Sequence, residues 1–382
     1  MSKDGMFYAP TTDYHNEPVC APGEFVFAAV ALDHGHIYGM CAELINAGGT
    51  LRWIYDSDPH RAESLQSKHP EARIAPSLET VLHDDEVLLV AAAAVTSERG
   101  PLGIRVMQAG KDYFTDKAPF TTLEQLVEAR IETARTGRKY MVYYSERLHQ
   151  ESTIYAHQLI QQQAIGDVVQ VIGTGPHLLA AQRRPEWFFQ REKYGGILCD
   201  IGSHQIEQFL TFSSSSDAHI NFSRVANFNH PQYPELEDFG EISLTGSSGA
   251  SGYMRVDWFT PNGLGTWGDG RTTILGTDGY IELRKYIDVG REPGGNHVYL
   301  VNHEGEYHFD VSGKVGYPFF GQLIRDVLDR TEHAMTQEHA FKAAEICLLA
   351  QQRAWNRPNA MEGFASQPAE ETASSAATDA SQ

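Results

Sequence analysis

A chain of 382 residues, 41% hydrophobic and 21% charged, has the material for a large core and for about two domains of roughly 100–200 residues each, which excludes a mostly disordered protein. Asp and Glu outnumber Lys and Arg by 50 to 30, a formal charge of −20, so phosphate backbones and anionic lipid are poor partners. The four cysteines, Cys20, Cys41, Cys199 and Cys347, are far apart and form no CxxC pair, so neither a disulfide framework nor a zinc site is expected. The N-terminus lacks a basic segment followed by an apolar run, and no stretch reaches the roughly 18 apolar residues of a membrane helix, so a reduced cytoplasm is the expected setting.

In chain order, residues 1–23 are polar and proline-bearing and read as an arm. Residues 25–32 (FVFAAVAL) form an apolar run followed by turn chemistry, the pattern of a buried strand. A helix is expected over 38–47, stopping at Gly48 and Gly49, and a second strand over 51–55 (LRWIY). Asp58 reads as an N-cap with Pro59 at the first helical position. Strands at 87–94, 112–115 and 140–144 then alternate with helices at 101–109 and 123–136. Short connections between alternating strands and helices predict a doubly wound parallel sheet over residues 24–146.

The pattern changes near residue 146. A helix at 149–163 precedes strand-like runs at 168–174, 220–228, 239–244, 250–259, 271–275, 279–284 and 298–302. Such spacing predicts an α+β domain over 147–357 with an open, largely antiparallel sheet. Helices are expected at 319–330 and 337–352. Residues 358–382 are rich in Ala, Ser, Thr and Glu without Lys or Arg, and read as a disordered acidic tail.

A dinucleotide in such a sheet lies over the first strand–helix turn, where glycines let the backbone approach the pyrophosphate. Here that turn is Asp33-His34-Gly35-His36-Ile37-Tyr38-Gly39. Against G-x-G-x-x-G, Asp33 and Tyr38 replace the first and third glycines, and Asp33 can be accommodated by capping the helix. Asp56 ends the second strand about 20 residues past Gly35, where an acid accepts hydrogen bonds from the adenosine ribose and repels a 2′-phosphate, which favours NAD over NADP. Asp56 can equally be an ordinary turn residue. His34, His36 and Asp33 lack a further ligand at a helpful spacing, so no metal is expected.

Three segments together resemble the Gfo/Idh/MocA family of nicotinamide-dependent sugar and inositol oxidoreductases. Residues 109–119 (AGKDYFTDKAP) are similar to the family's AGKHVxxEKP, with Asp116 in place of Glu, Lys117 kept and Pro119 one place late. Residues 195–204 (GGILCDIGSH) match GGxxxDxGxH at every fixed position. Residues 275–283 (LGTDGYIEL) are similar to the G-T-x-G-x-I-E-L hairpin. The resemblance spans about residues 25–356 and implies a Rossmann-type N-terminal domain and a substrate and oligomerisation domain after it. It also implies NAD, a carbohydrate or polyol substrate, and a homodimer or homotetramer.

The family assigns substrate-site roles to Lys117, Asp200 and His204, and the chemistry suits them. His204 has an intrinsic pKa near neutrality, as a general base needs. Asp200, four residues earlier, shares a face with it if the segment begins a helix. Lys117 follows a strand at the carboxyl edge of the sheet and can stabilise a developing alkoxide. Asp33, His34, Gly35, His36, Ile37, Asp56 and Lys117 are the expected cofactor contacts. Arg147, His177, Trp187, Tyr194, Trp267 and Arg271 are softer substrate candidates, since Trp faces stack on sugar rings and Arg binds hydroxyls. The leading function is hydride transfer between a secondary alcohol of a sugar, inositol or glycoside and NAD. Two alternatives stay open: a relative that cleaves glycosides by transient oxidation with no net redox, and a non-catalytic sugar or dinucleotide sensor on the same fold.

Overall fold

The computed structural model describes residues 17–356. The expected disordered tail and most of the polar arm lie outside them. Chain order from β1 (Val26–Val30) runs through α1 (His36–Asn46), β2 (Thr50–Tyr55), α2 (Pro59–Gln66), β3 (Arg73–Ile74), α3 (Leu78–Leu82), β4 (Leu89–Ala92), α4 (Thr96–Gln108), β5 (Asp112–Asp116), α5 (Leu123–Thr136) and β6 (Tyr140–Tyr143). These strands form one parallel sheet in the order β3-β2-β1-β4-β5-β6. The order reverses between β1 and β4, and the carboxyl ends beside that point are where such sheets bind ligands.

Local chemistry sets these elements. The Asp58 side chain accepts the His60 N–H, and Pro59 opens α2. Thr122 caps α5 and Gly137 ends it in the left-handed region, with φ 64°. Strands β1, β4 and β6 are buried at every position, as a sheet covered on both faces requires. Gly103 lets α4 lie on that sheet, because a Cβ there would come within 2.4 Å of the Tyr140 ring. The two-residue β3 has no sequence signal at its length, and α4 starts five residues before the expected 101 because Pro101 is tolerated inside its first turns.

The expected helix at 149–163 is α7 (Glu151–Gln161), and a separate short helix, α6 (Ser145–Leu148), precedes it. After β7 (Val168–Pro176) come three short helices, α8 (Arg191–Tyr194), α9 (Ile197–Asp200) and α10 (Gly202–Phe212). Then follow β8 (Ala218–Ala226), β9 (Phe239–Gly246), β10 (Ser251–Asp257), β11 (Arg271–Gly276), β12 (Gly279–Arg284), β13 (His297–Asn302) and β14 (Gly305–Asp310). Their sheet runs β14-β13-β12-β11-β7-β10-β9-β8 and is antiparallel except for the parallel pair β7/β10. Strands β7, β10 and β11 alternate buried and open positions, so one face is packed and the other is bare.

The last helices, α11 (Pro318–Asp329) and α12 (Gln337–Trp355), return toward the first sheet. Phe319 and Phe320 of α11 pack on Phe114, and Arg330 pairs with Asp112. Tyr144 donates to the Ala340 carbonyl of α12 at 3.0 Å. No helix among the described residues is long and apolar enough to cross a membrane. All four cysteines are free.

Candidate active site

The carboxyl edge of the parallel sheet faces α9, α10 and the loops of the second domain across one polar cavity. His34, His36, Lys117, His177, Trp187, Tyr194, Asp200, His204 and Trp267 all line it. The first sheet contributes its turns and strand ends: His34 and His36 after β1, Lys117 after β5, Glu146 and His149 after β6. The other wall comes from α9, α10 and the loops carrying His177, Trp258, Trp267 and Tyr286.

The glycine pair before α9 explains the tight match of residues 195–204 to a motif. Gly195 has φ 84° and Gly196 φ 92°, both in the left-handed region. A Cβ on Gly196 would also fall 2.3 Å from the Gln351 side chain. The pair turns the chain sharply into α9, which delivers Asp200 to the cavity. Ile201 breaks the helix, so Asp200 ends α9 and His204 lies in the first turn of α10.

Lys117 Nζ donates to Asp200 Oδ1 at 2.6 Å, joining the two domains. Both residues are largely removed from water. Burial opposes ionisation of Asp200, but the Lys117 ammonium outweighs it and holds the carboxyl below its usual range. The Lys117 N–H donates to Asp116 Oδ1 at 2.8 Å, and its carbonyl accepts from Arg99. The Lys117–Ala118 peptide is cis.

His204 is 2% exposed. Burial pushes its imidazole down to about 3, against the pull of the Glu146 carboxylate, so it is neutral near pH 7. His177 is pushed down to about 4 by the same cause. Deeper still, Lys285 Nζ donates to Glu146 Oε2 at 2.7 Å, and Gln205 donates to the same oxygen at 2.8 Å. Three cavity-lining atoms, Glu146 Oε1, His204 Nδ1 and Trp258 Nε1, are buried without a hydrogen-bond partner.

The phosphate-type turn differs from expectation. Helix α1 starts from Gly35 with no side-chain cap, so Asp33 does not cap it. Asp33 instead pairs with Arg61 at 3.1 Å; burial disfavours its charge and the guanidinium offsets only part of that cost, so its carboxyl stays above the usual range. Asp56 is held by protein on both oxygens: Leu32 N–H at 2.6 Å, Asp58 N–H at 2.7 Å and Arg61 Nε at 3.0 Å. Ile37, in the first turn of α1, is fully buried in the core. In place of Asp33, Asp116 at the end of β5 meets the two histidines. His36 Nδ1 is 2.7 Å from Asp116 Oδ1, and His34 Nδ1 is 3.3 Å from Oδ2. Burial opposes ionisation of Asp116, yet His36, Arg99 and His34 outweigh it and keep the carboxyl well below its usual range.

Two of the softer candidates lie outside the cavity lining. Arg147 points away from it, its Nε donating to Glu207 at 2.6 Å, and the neighbouring Glu146 and His149 line the site instead. Arg271 pairs with Asp269 at the start of β11. Sequence reasoning missed Glu146, Arg99, Arg184, Trp258 and Tyr286. For Glu146 the signal was its place directly after a parallel strand, the same rule that picked out Lys117. The others sit on a helix flank or in loops of the second domain, where no spacing rule applies.

Comparison with known proteins places this geometry. Residues 153–282 match the GFO/IDH/MocA C-terminal domain. A solved structure from Erwinia carotovora atroseptica, described as an oxidoreductase, is 49% identical, with a TM-score of 0.84 over 86% of this chain and 98% of its own. A D-xylose dehydrogenase of Paenarthrobacter nicotinovorans is 27% identical over 152 residues, which span 38% of this chain and 38% of that relative. A levoglucosan dehydrogenase in complex with NADH and levoglucosan shares the fold, at 15% identity and a TM-score of 0.72 over 87% of this chain and 97% of its own.

Proposed function

The chain belongs to the Gfo/Idh/MocA family of oxidoreductases, and from that premise we propose that it is an NAD-dependent dehydrogenase acting on a secondary alcohol of a sugar or polyol. The observation that carries the reading is the meeting of Lys117, Asp200 and His204 in one cavity at the carboxyl edge of the parallel sheet. The sugar dehydrogenases among its relatives point to the same substrate class.

The residues present fit a dinucleotide, with one peculiarity. The order reversal between β1 and β4 opens at the cavity, and the N-terminus of α1 carries no side-chain cap that would compete with a phosphate. On the adenosine side, Asp33 and Asp56 flank one guanidinium, that of Arg61. Two carboxylates against one cation leave that rim net negative, which favours NAD over its 2′-phosphorylated form.

When bound, NAD supplies the hydride acceptor. This chain supplies the rest. Asp200 orients the Lys117 ammonium through its carboxylate and its backbone carbonyl, and the third N–H is left to stabilise the alkoxide that develops on the reacting oxygen. His204 is neutral and so has a lone pair for the hydroxyl proton, but burial makes it a weaker base than the near-neutral imidazole that its residue type alone predicts. An unpaired buried polar atom costs about 1–3 kcal/mol. The hydroxyls of a polyol both donate and accept, and so can satisfy Glu146 Oε1, His204 Nδ1 and Trp258 Nε1. The aromatic side chains of Trp187 and Trp267 give apolar surface for a sugar ring.

A homo-oligomer fits the bare face of the second sheet. Ile172, Tyr253, Leu275 and Tyr280 all open onto that face from its central strands, a row of apolar groups suited to a second copy.

The test is a polyol and aldose panel with NAD, followed at the reduced-nicotinamide band, with NAD binding measured by calorimetry. Turnover is expected with at least one substrate, and Lys117→Ala and His204→Ala should each lower kcat/KM by about 10²–10⁴. No absorbance change with any substrate, together with no heat of NAD binding, would overturn the reading.

A further inference from the structure

The turn after β1 places a histidine on each side of Gly35, and β5 ends in Asp116 beneath them. Each of the three buried side chains offers one ligating atom, and these atoms lie within 4.8 Å of one another. Ligand atoms around a metal with bonds near 2.1 Å stand about 3–3.4 Å apart, the range that His34 Nδ1 and Asp116 Oδ2 already occupy at 3.3 Å, whereas His36 Nδ1 and Asp116 Oδ1, at 2.7 Å, have to part slightly to admit an ion.

Hydrogen-bond roles at His34 Nδ1 balance only with a proton or a metal ion between that nitrogen and Asp116. The His36 amide N–H lies 3.2 Å from His34 Nδ1, a long hydrogen bond that the unprotonated nitrogen gives up when it turns its one lone pair to a cation. The same nitrogen faces Asp116 Oδ2, which offers only lone pairs once ionised. Two lone pairs opposed at 3.3 Å in a buried site repel each other. A cation between them turns the repulsion into coordination. His34 and His36 also line the cavity, so further coordination positions open toward a ligand.

We propose that His34, His36 and Asp116 form a site for a first-row divalent transition metal at the inner end of the cavity. Two imidazoles and one carboxylate, with open positions beyond them, make a donor set suited to Zn²⁺, Co²⁺ or Fe²⁺ rather than to Ca²⁺ or Mg²⁺. Asp116 binds through one oxygen, while Arg99, 3.2 Å from Oδ2, and the Lys117 N–H on Oδ1 hold the carboxylate in place as an outer layer. Arg99 and Lys117 oppose the incoming charge. That opposition is reduced because Lys117 is paired with Asp200, and Arg99 also donates to the carbonyls of Ala94, Lys117 and Ala118.

This site does not rest on the dehydrogenase reading, and its test needs neither NAD nor substrate. Full-length protein stripped with a chelator is titrated with Co²⁺ alone. One equivalent per chain should bind with visible d–d bands, and Zn²⁺ should displace it. His34→Gln and His36→Gln should each weaken binding by at least about tenfold, with circular dichroism confirming that both variants fold. Absence of d–d bands in the wild type, or bands that survive both substitutions, would overturn the site and leave the cluster as a hydrogen-bonded Asp–His set.

Discussion

The two sheets of this molecule place chemistry by different means. The parallel sheet is covered on both faces, and apart from Arg99 on α4 the main polar groups that it holds for the cavity sit just past a strand's carboxyl end: His34 and His36 after β1, Lys117 after β5, Glu146 after β6. Strand direction alone brings those ends together. The antiparallel sheet sends its strands both ways, so no edge collects them. Its wall of the cavity is built from α9, α10 and loops, and its outer face is bare. Topology therefore does in one half what particular turns and glycines do in the other.

The largest test of this contrast is a matched pair of charges. Val90 lies at the centre of β4, 0% exposed and packed on both sides. Val90→Asp buries an unpaired carboxylate where nothing can solvate it, a cost beyond about 4–5 kcal/mol. The variant should fail to accumulate as folded protein, as judged by circular dichroism and soluble yield. A folded Val90→Asp would mean that the parallel sheet is not closed on both faces.

Next in size is the buried pair where the sheets meet. Lys285 comes from just past β12, and its ammonium is 0% exposed; Glu146 comes from just past β6. Glu146→Ala leaves that ammonium without its counter-charge, which costs about 3–5 kcal/mol and should appear as a lowered urea midpoint. Glu146→Gln keeps the shape and part of the hydrogen bonding, and should cost less. Equal losses would show that the charge of Glu146 is irrelevant to Lys285.

Acid should act mainly through the histidines of the cavity. His204 titrates at about 3 and His177 at about 4 in the folded protein, both pushed down by burial, against about 6.5 in the unfolded chain. Below about pH 6.5 the unfolded state binds protons that the native state refuses, so stability falls as pH falls. The slope reaches up to about 1.4 kcal/mol per pH unit for each histidine, and each contribution stops once pH drops below the folded value. Urea midpoints between pH 7 and 4.5 should trace this loss, and His177→Gln or His204→Gln should flatten it. An unchanged slope in both variants would place the acid sensitivity elsewhere.

Much of the first half was legible because its rules are local. The Asp58–Pro59 helix start, the span of α5 and the strand-end position of Lys117 all follow from spacing. The site's second half came through the GGxxxDxGxH segment, since the two left-handed glycines leave a mark in the sequence. What spacing could not give were partnerships across the chain. Asp116 with His36, 80 residues apart, and Glu146 with Lys285, 139 residues apart, are set by folding alone. For the same reason Asp33 read as a helix cap: its true partner, Arg61, stands on another element.

The smallest expected effect is the other member of the matched pair. Ile172 lies on β7, in the middle of the second sheet, opposite Tyr253 on β10 and Thr273 on β11, and its side chain opens onto the bare face. Ile172→Asp adds a charge that water solvates, so the folded chain itself should change in stability by no more than about 0.5 kcal/mol. The same charge repeated on two copies meeting through this face would be desolvated on both sides. Light scattering after size exclusion should then show a smaller assembly for Ile172→Asp than for the wild type, at nearly the same urea midpoint extrapolated to low protein concentration. A variant that keeps the wild-type assembly would mean that this face is solvent-exposed in the oligomer. A variant that unfolds outright would mean that the second sheet, like the first, depends on both of its faces.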